Sequence, residues 1–123
     1  MLEAYSLNAT VTPLAPIPFN SASLVKGCTA VLASPTTIEL NKRGVYAVTF
    51  NGTAAASDTV QLYKDGVAQP QAQSTGTSLG FSTLVQVDRD NSACCCASPV
   101  TLQVISTLAA TLADANITVT KVC

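Results

Sequence analysis

The chain has 123 residues, enough for one domain with a single buried core. Apolar residues make up 48% and charged residues only 11%, with a net charge of -1, against about 25% charged residues in a typical globular domain. Six basic residues occur singly or as the pair Lys42-Arg43, and Trp is absent, which excludes the basic stripe of a nucleic-acid-binding protein.

So little charge predicts that much of the surface is covered, by other copies of the chain or by another partner. Met1-Leu2-Glu3 does not begin a charged segment followed by an apolar core, so no secretion signal is expected. The longest apolar tract, Val100 to Leu112, is broken by Thr, Gln and Ser and falls short of a membrane span. If it acts outside a cell, it is expected to leave by lysis or by a route that the sequence does not reveal.

Leu2 to Val11 alternates loosely through Leu2, Ala4, Leu7, Ala9 and Val11 and predicts a first strand. Thr12 to Asn20 contains three prolines, which forbid a helix or central strand and favour an extended edge segment. Leu24-Val25, Gly27 and Thr29 to Leu32 suggest a short hairpin arm. Thr37 to Phe50 then reads as strand, polar turn, strand, and the other segments are organised around it. Ile38 and Leu40 alternate with Thr37 and Glu39, Asn41-Lys42-Arg43-Gly44 supplies turn residues, and Val45 to Phe50 is β-branched and aromatic.

Asn51 to Ser57 is expected to be a small-residue loop, followed by a strand from Asp58 to Lys64 with Val60 and Leu62 on one face. Lys64-Asp65-Gly66-Val67 predicts a tight two-residue hairpin with positive φ at its centre. Gln69 to Thr77 is expected to be a polar loop, and Leu79 to Val87 a strand in which Phe81, Val85 and Val87 alternate with Ser82 and Gln86. Asp88 to Ser98 reads as an irregular loop. Val100 to Ser106, with Val104 on its apolar side, and Asn116 to Val122, with Ile117 and Val119, close the chain. Short strands at regular spacing without helical period predict an all-β antiparallel sandwich or barrel.

Chemistry-bearing residues are sparse. Cys94-Cys95-Cys96, with Cys28 and Cys123, is the unusual cluster. Consecutive cysteines on extended backbone point to alternate faces, and with no His and no paired spacing they do not make a zinc site. Two readings stand: disulfides to Cys28 or Cys123, within or between subunits, and free thiols. With five cysteines, at least one stays free or pairs across an interface. Asp88 and Asp90 lack the run of oxygen ligands that calcium needs. Glu39 and Asp58 are expected to point outward from strands, and Asp65 to serve the turn. Without His, no hydroxyl has its usual base, so no enzyme and no cofactor are expected. Asn8, Asn51 and Asn116 begin Asn-x-Thr acceptor patterns that read as chance without a signal peptide. Tyr5, Tyr46 and Tyr63 suit either a carbohydrate groove or a core and interface role.

In order along the chain, Pro16-Ile17-Pro18-Phe19-Asn20, Ile38-Glu39-Leu40, Gly44-Val45-Tyr46-Ala47-Val48, Val60 to Pro70 and Ala115 to Val122 resemble a known family. It is the globular C-terminal domain of the collagen-like exosporium glycoprotein of bacilli, within the complement and tumour-necrosis-factor-like jelly-roll superfamily. The resemblance implies a homotrimer with inner sheets packed about a threefold axis. Ile38, Leu40, Tyr46, Val48, Phe81, Val85, Val104, Ile117 and Val119 are the residues expected to fill the sandwich and line that axis. No Gly-X-Y stalk precedes the strands, so the expectation is a head module without its stem. The chain also looks like small phage virion proteins of this fold. These resemblances imply a structural or decoration protein on a virion, as capsid or fibre decoration, with a second structural protein of the particle as partner. A spore-surface protein is the alternative, and a receptor- or glycan-binding head the rival.

Overall fold

The computed structural model describes residues 2–19, 21–25, 30–87, 100–107 and 110–122. Its strands are β1 (Leu2–Val11), β2 (Ala15–Pro16), β3 (Ser21–Val25), β4 (Ala30–Ser34), β5 (Thr37–Leu40), β6 (Gly44–Lys64), β7 (Val67–Val87), β8 (Val100–Ser106) and β9 (Ala110–Lys121). All of their pairings are antiparallel.

β6 carries the architecture, because its two halves belong to different layers. Residues 44–54 pair with β9, and residues 60–64 pair with β8. β7 follows β6 through both halves, with a register shift between Thr53 and Asp58 where the ribbon turns the corner. The first layer therefore runs β3, β1, β9, the first half of β6 and the second half of β7. The second runs β4, β5, β8, the second half of β6 and the first half of β7. β2 lies beside β8 at Ile105 and Ser106, on the edge that β5 shares lower down.

Period-2 alternation turns one face of each layer inward. Leu40, Tyr46, Val48, Phe50, Leu62, Leu102 and Val119 are fully buried. Each such apolar side chain stabilises the fold by about 1.5–3 kcal/mol relative to exposure. Phe50 is the centre of an aromatic group: Phe19 meets it edge-on at 6.3 Å and Phe81 stacks on it at 5.4 Å. Tyr46 is also fully buried, and its hydroxyl donates to the Lys42 carbonyl at 2.7 Å, so its polar tip is satisfied. Beside Phe50 the chain needs glycine. A Cβ on Gly52 would lie 3.1 Å from the Asp114 carbonyl oxygen and 3.3 Å from the Phe50 ring, tighter than an added methyl fits without movement.

The predicted Asp-Gly turn is present: Lys64 pairs with Val67, and Asp65 and Gly66 have φ of 51° and 79°. Four other expectations are corrected. Thr37 to Phe50 is not a hairpin, since β5 pairs with β4 and β8, and the turn after Leu40 carries the chain to the other layer. Both strands alternate because they face one core from opposite sides. Nor do β3 and β4 form a hairpin arm; β3 pairs with β1 and β4 with β5. Asn51 to Ser57 and Gln69 to Thr77 are strand rather than loop. Their small and polar residues still obey alternation, with Gly52, Ala54 and Ala72 buried between exposed neighbours. Asp58 is not an outward charge: it is 1% exposed, because it stands in phase with Val60 and Leu62, whose side of the strand faces the interior.

Candidate assembly face

The outer side of the first layer is read off its registers. Glu3, Thr118, Thr49 and Ser82 form one cross-strand row; Tyr5, Asn116, Asn51 and Gly80 form the next; Leu7, Asp114, Thr53 and Ser78 form a third. On the other side of the Glu3 row, Thr120, Ala47 and Leu84 lie together, then Val45 beside Gln86. Leu7 is 65% exposed and Leu84 62%, with Tyr5 partly exposed and Val45 and Ala47 half-buried. Only Glu3 and Asp114 bring charge to these rows. The face carries two carboxylates and several large apolar side chains turned to solvent, spread over its rows. At its foot a cavity of about 250 Å³ is lined by Arg43, Gly44, Val45, Gln86 and Val87.

The outer side of the second layer is a hydroxyl and amide surface. Thr59 Oγ1 and Thr75 Oγ1 are 2.9 Å apart, and Gln103 Nε2 donates to Thr37 Oγ1 at 3.0 Å. Tyr63 and Ile105 on this side are half-buried. At its lower end Asp65 clasps β8. Its backbone N–H donates to the Thr101 carbonyl at 2.9 Å, and its Oδ1 accepts from Thr101 N–H at 2.9 Å.

At the opposite end, Asp58 ties β6 to β8 at the corner where β6 enters the second layer. Its Oδ1 accepts from Thr59 N–H at 2.7 Å, and its Oδ2 accepts from the buried Ser106 hydroxyl. Thr107 N–H donates to the Thr59 carbonyl at 3.0 Å, completing the corner. The arrangement binds a buried carboxylate to a buried hydroxyl and a backbone N–H, which satisfies the polar groups of the corner.

Ile38, Leu40, Tyr46, Val48, Val85, Val104, Ile117 and Val119 all lie between the layers, each at most 3% exposed, and Phe81 packs against them half-buried. The structure brings these residues into one core and puts none of the eight fully buried ones on an outer face. The sequence reading does not single out Leu84, and it counts Leu7 in the loose alternation of the first strand with Leu2 and Ala4, which are buried while Leu7 is exposed. The signal was available: each breaks its strand's alternation, Leu7 against Leu2 and Ala4, Leu84 against Phe81, Val85 and Val87. Cys28, Cys94, Cys95, Cys96 and Cys123, and likewise Asp88 and Asp90, lie outside the described residues. Among the described residues no three Cys, Asp or Glu side chains gather in one place, and no helix is long and apolar enough to cross a membrane.

No protein-family model matches the chain, and no curated sequence is similar to it. Solved structures do match. The globular domain of zebrafish complement 1qA superposes with a TM-score of 0.74 at 9% identity, over 99% of this chain and 96% of the other. PRD1 vertex protein P5 gives 0.69 at 13% identity, over 99% and 96%. Murine APRIL gives 0.67 at 12% identity, over 98% and 97%. At such identities the likeness is one of fold, and the fold is the antiparallel jelly roll shared by C1q globular domains and tumour-necrosis-factor-like ligands.

Proposed function

We propose that the chain is a non-enzymatic head that associates into a homotrimer through the outer face of its first layer and decorates the exterior of a particle, with a bacteriophage virion as the first assignment. The observation that carries the reading is the sparsely charged face bearing Tyr5, Leu7, Val45, Ala47 and Leu84. A monomer would leave these side chains in water. Packing them against copies of themselves removes apolar area at about 25 cal/mol per Å². The low charge of the whole chain points the same way. The virion assignment draws support from a phage vertex protein that shares the fold over 99% of this chain. The similarity of the strand motifs to the exosporium head keeps a spore surface as the alternative.

Native mass spectrometry of the purified chain, with and without reductant, is the direct test. A trimer that survives reduction supports association through the sheet face and leaves the five cysteines as bystanders. A trimer lost on reduction makes the cysteines part of the assembly. A monomer in both conditions sinks the trimer. Banding of the chain with virions rather than with spores in a density gradient then separates the two carriers.

A further inference from the structure

The cavity at the foot of the first layer forms where Gly44 pairs with Val87 and Val45 with Gln86. Val45 and Val87 give it apolar walls, and Gly44 places no side chain between them. Arg43 and Gln86 are its polar members. At about 250 Å³ it exceeds the roughly 150 Å³ that holds a benzene molecule. Apolar walls with a few polar groups are the usual make-up of a small-molecule site.

The frame around the cavity is tied down. Lys64 Nζ donates to the Gln86 carbonyl at 2.6 Å, and Val122 N–H to the Val45 carbonyl at 2.8 Å. The Tyr46 hydroxyl donates to the Lys42 carbonyl at 2.7 Å, beside Arg43. These bonds fix both strand ends and the turn, so a ligand meets a site already formed.

Positive charge is gathered at the same place. Lys42, Arg43, Lys64 and Lys121 are the described Lys and Arg residues, and all lie at this end of the sandwich. Lys42 and Arg43 precede Gly44, Lys64 reaches Gln86, and Lys121 pairs with Tyr46. Among the described residues no carboxylate lines the cavity. Asp65, at this end, accepts from Thr101 N–H, and Glu39 stands across from Thr101 on the second layer. Cations around an apolar cleft concentrate anions in it.

We propose that this cavity binds a carboxylate joined to a short aliphatic body, with the carboxylate on Arg43 and the body between Val45 and Val87. A planar guanidinium matches both oxygens of a carboxylate. Arg43 has a partner within the fold, and its several N–H donors let it hold a second. Sulfate or phosphate would be held by charge alone and would gain nothing from the valines. Two sources carry the chemistry: a free aliphatic acid, and the C-terminus of a peptide ending in an apolar residue. The inference stands apart from the particle-decoration reading. Val45 and Gln86 also belong to the foot of the assembly face, so the experiment is run on the full chain in its native oligomer.

The test is a titration of the isotope-labelled chain with hexanoate, followed by amide chemical shifts. Hexanoate is expected to bind with a dissociation constant of about 1 mM or tighter, shifting Arg43, Gly44, Val45, Gln86 and Val87. Hexanamide and sulfate at equal concentration are expected to leave those signals in place. Arg43→Gln is expected to weaken hexanoate about tenfold or more, with signals elsewhere unchanged. Arg43→Lys keeps the charge without the fork and is expected to fall between. No shift with hexanoate, or equal shifts with hexanamide or sulfate, overturns the carboxylate site. Binding that survives Arg43→Gln overturns it too. Asp88 follows Val87 in the chain; binding seen only after Asp88→Asn makes the chain's own carboxylate the occupant and also overturns the proposal. A tripeptide ending in leucine, with its C-terminus free or amidated, separates the sources. Tighter binding of the free-acid peptide than of hexanoate assigns the site to a peptide terminus, and the reverse order assigns it to a free acid; either order supports the site.

Discussion

The two outer faces of the sandwich are made by the same alternation and differ in what they leave unfinished. On the second layer the polar groups answer one another, Thr59 with Thr75 and Gln103 with Thr37, while Tyr63 and Ile105 are half covered. On the first layer Leu7, beside Asp114, and Leu84, beside Ala47, stand more than half exposed. Thr49 and Ser82 meet there at only 3.4 Å. Water suits the first surface poorly and the second well. In an all-β chain the core identifies the fold, and the contrast between outer faces is what the proposed assembly rests on.

The comparison breaks most visibly at Leu84. Leu84→Arg places a charge on the assembly face, and a threefold arrangement brings three of them together, each desolvated and unpaired. The expected outcome is a folded monomer in native mass spectrometry at micromolar concentration, with an unchanged far-ultraviolet circular dichroism spectrum. A persistent trimer would mean that the first layer is not the contact surface.

Asp58 tests the tie between β6 and β8 at the corner of the second layer. Asp58→Ala leaves the Ser106 hydroxyl and the Thr59 N–H without the acceptor they now use. Stranding buried donors costs about 1–3 kcal/mol, so urea unfolding is expected to shift its midpoint down by that equivalent. Asp58→Asn keeps one carbonyl acceptor and is expected to lose less. A neutral result for Asp58→Ala would show that the corner holds without its carboxylate.

Much of this was legible in the residues, and the failures share a cause. Alternation names the inward residues, and Ile38, Leu40, Tyr46 and Val48 are indeed buried. It says nothing about which strand lies beside which, so Thr37 to Phe50 reads as a hairpin although its halves sit in different layers. Glycine and small residues usually mark turns, yet Gly52, in an apparent loop, marks a strand where two backbones approach closely. Asp58 looks like a surface charge by its residue type, although it stands in phase with Val60 and Leu62, whose alternation turns it inward. Leu84 was the clearest missed clue: a large apolar residue out of phase in an otherwise regular strand has to face something other than the core.

Gly66 sharpens the comparison from the side of the second layer. Its φ of 79° favours glycine, and a Cβ there would meet nothing within 4 Å. Strain alone decides the effect of Gly66→Ala, which is expected to cost about 1–2 kcal/mol in chemical denaturation. Assembly should be unaffected, because the hairpin tip lies away from the first layer's outer rows. Loss of the trimer in this variant would bring the hairpin into the interface.

The smallest expected effect is the most discriminating. Gln61 lies on the outer face of the second layer, between Gln73 of β7 and Ile105 of β8. Gln61→Lys adds a positive charge to a face already suited to water, and the long side chain can extend beyond its neighbours to stay hydrated. Stability should change by less than about 0.5 kcal/mol, and the native mass spectrum should not change. Set beside Leu84→Arg, this variant separates a property of the face from a property of the chain. If low overall charge alone drove association, a cation on either layer would weaken it similarly. If geometry and apolar exposure drive it, only the first layer responds. A trimer that dissociates with Gln61→Lys and survives Leu84→Arg would move the interface to the second layer, leaving Leu7 and Leu84 to some other partner.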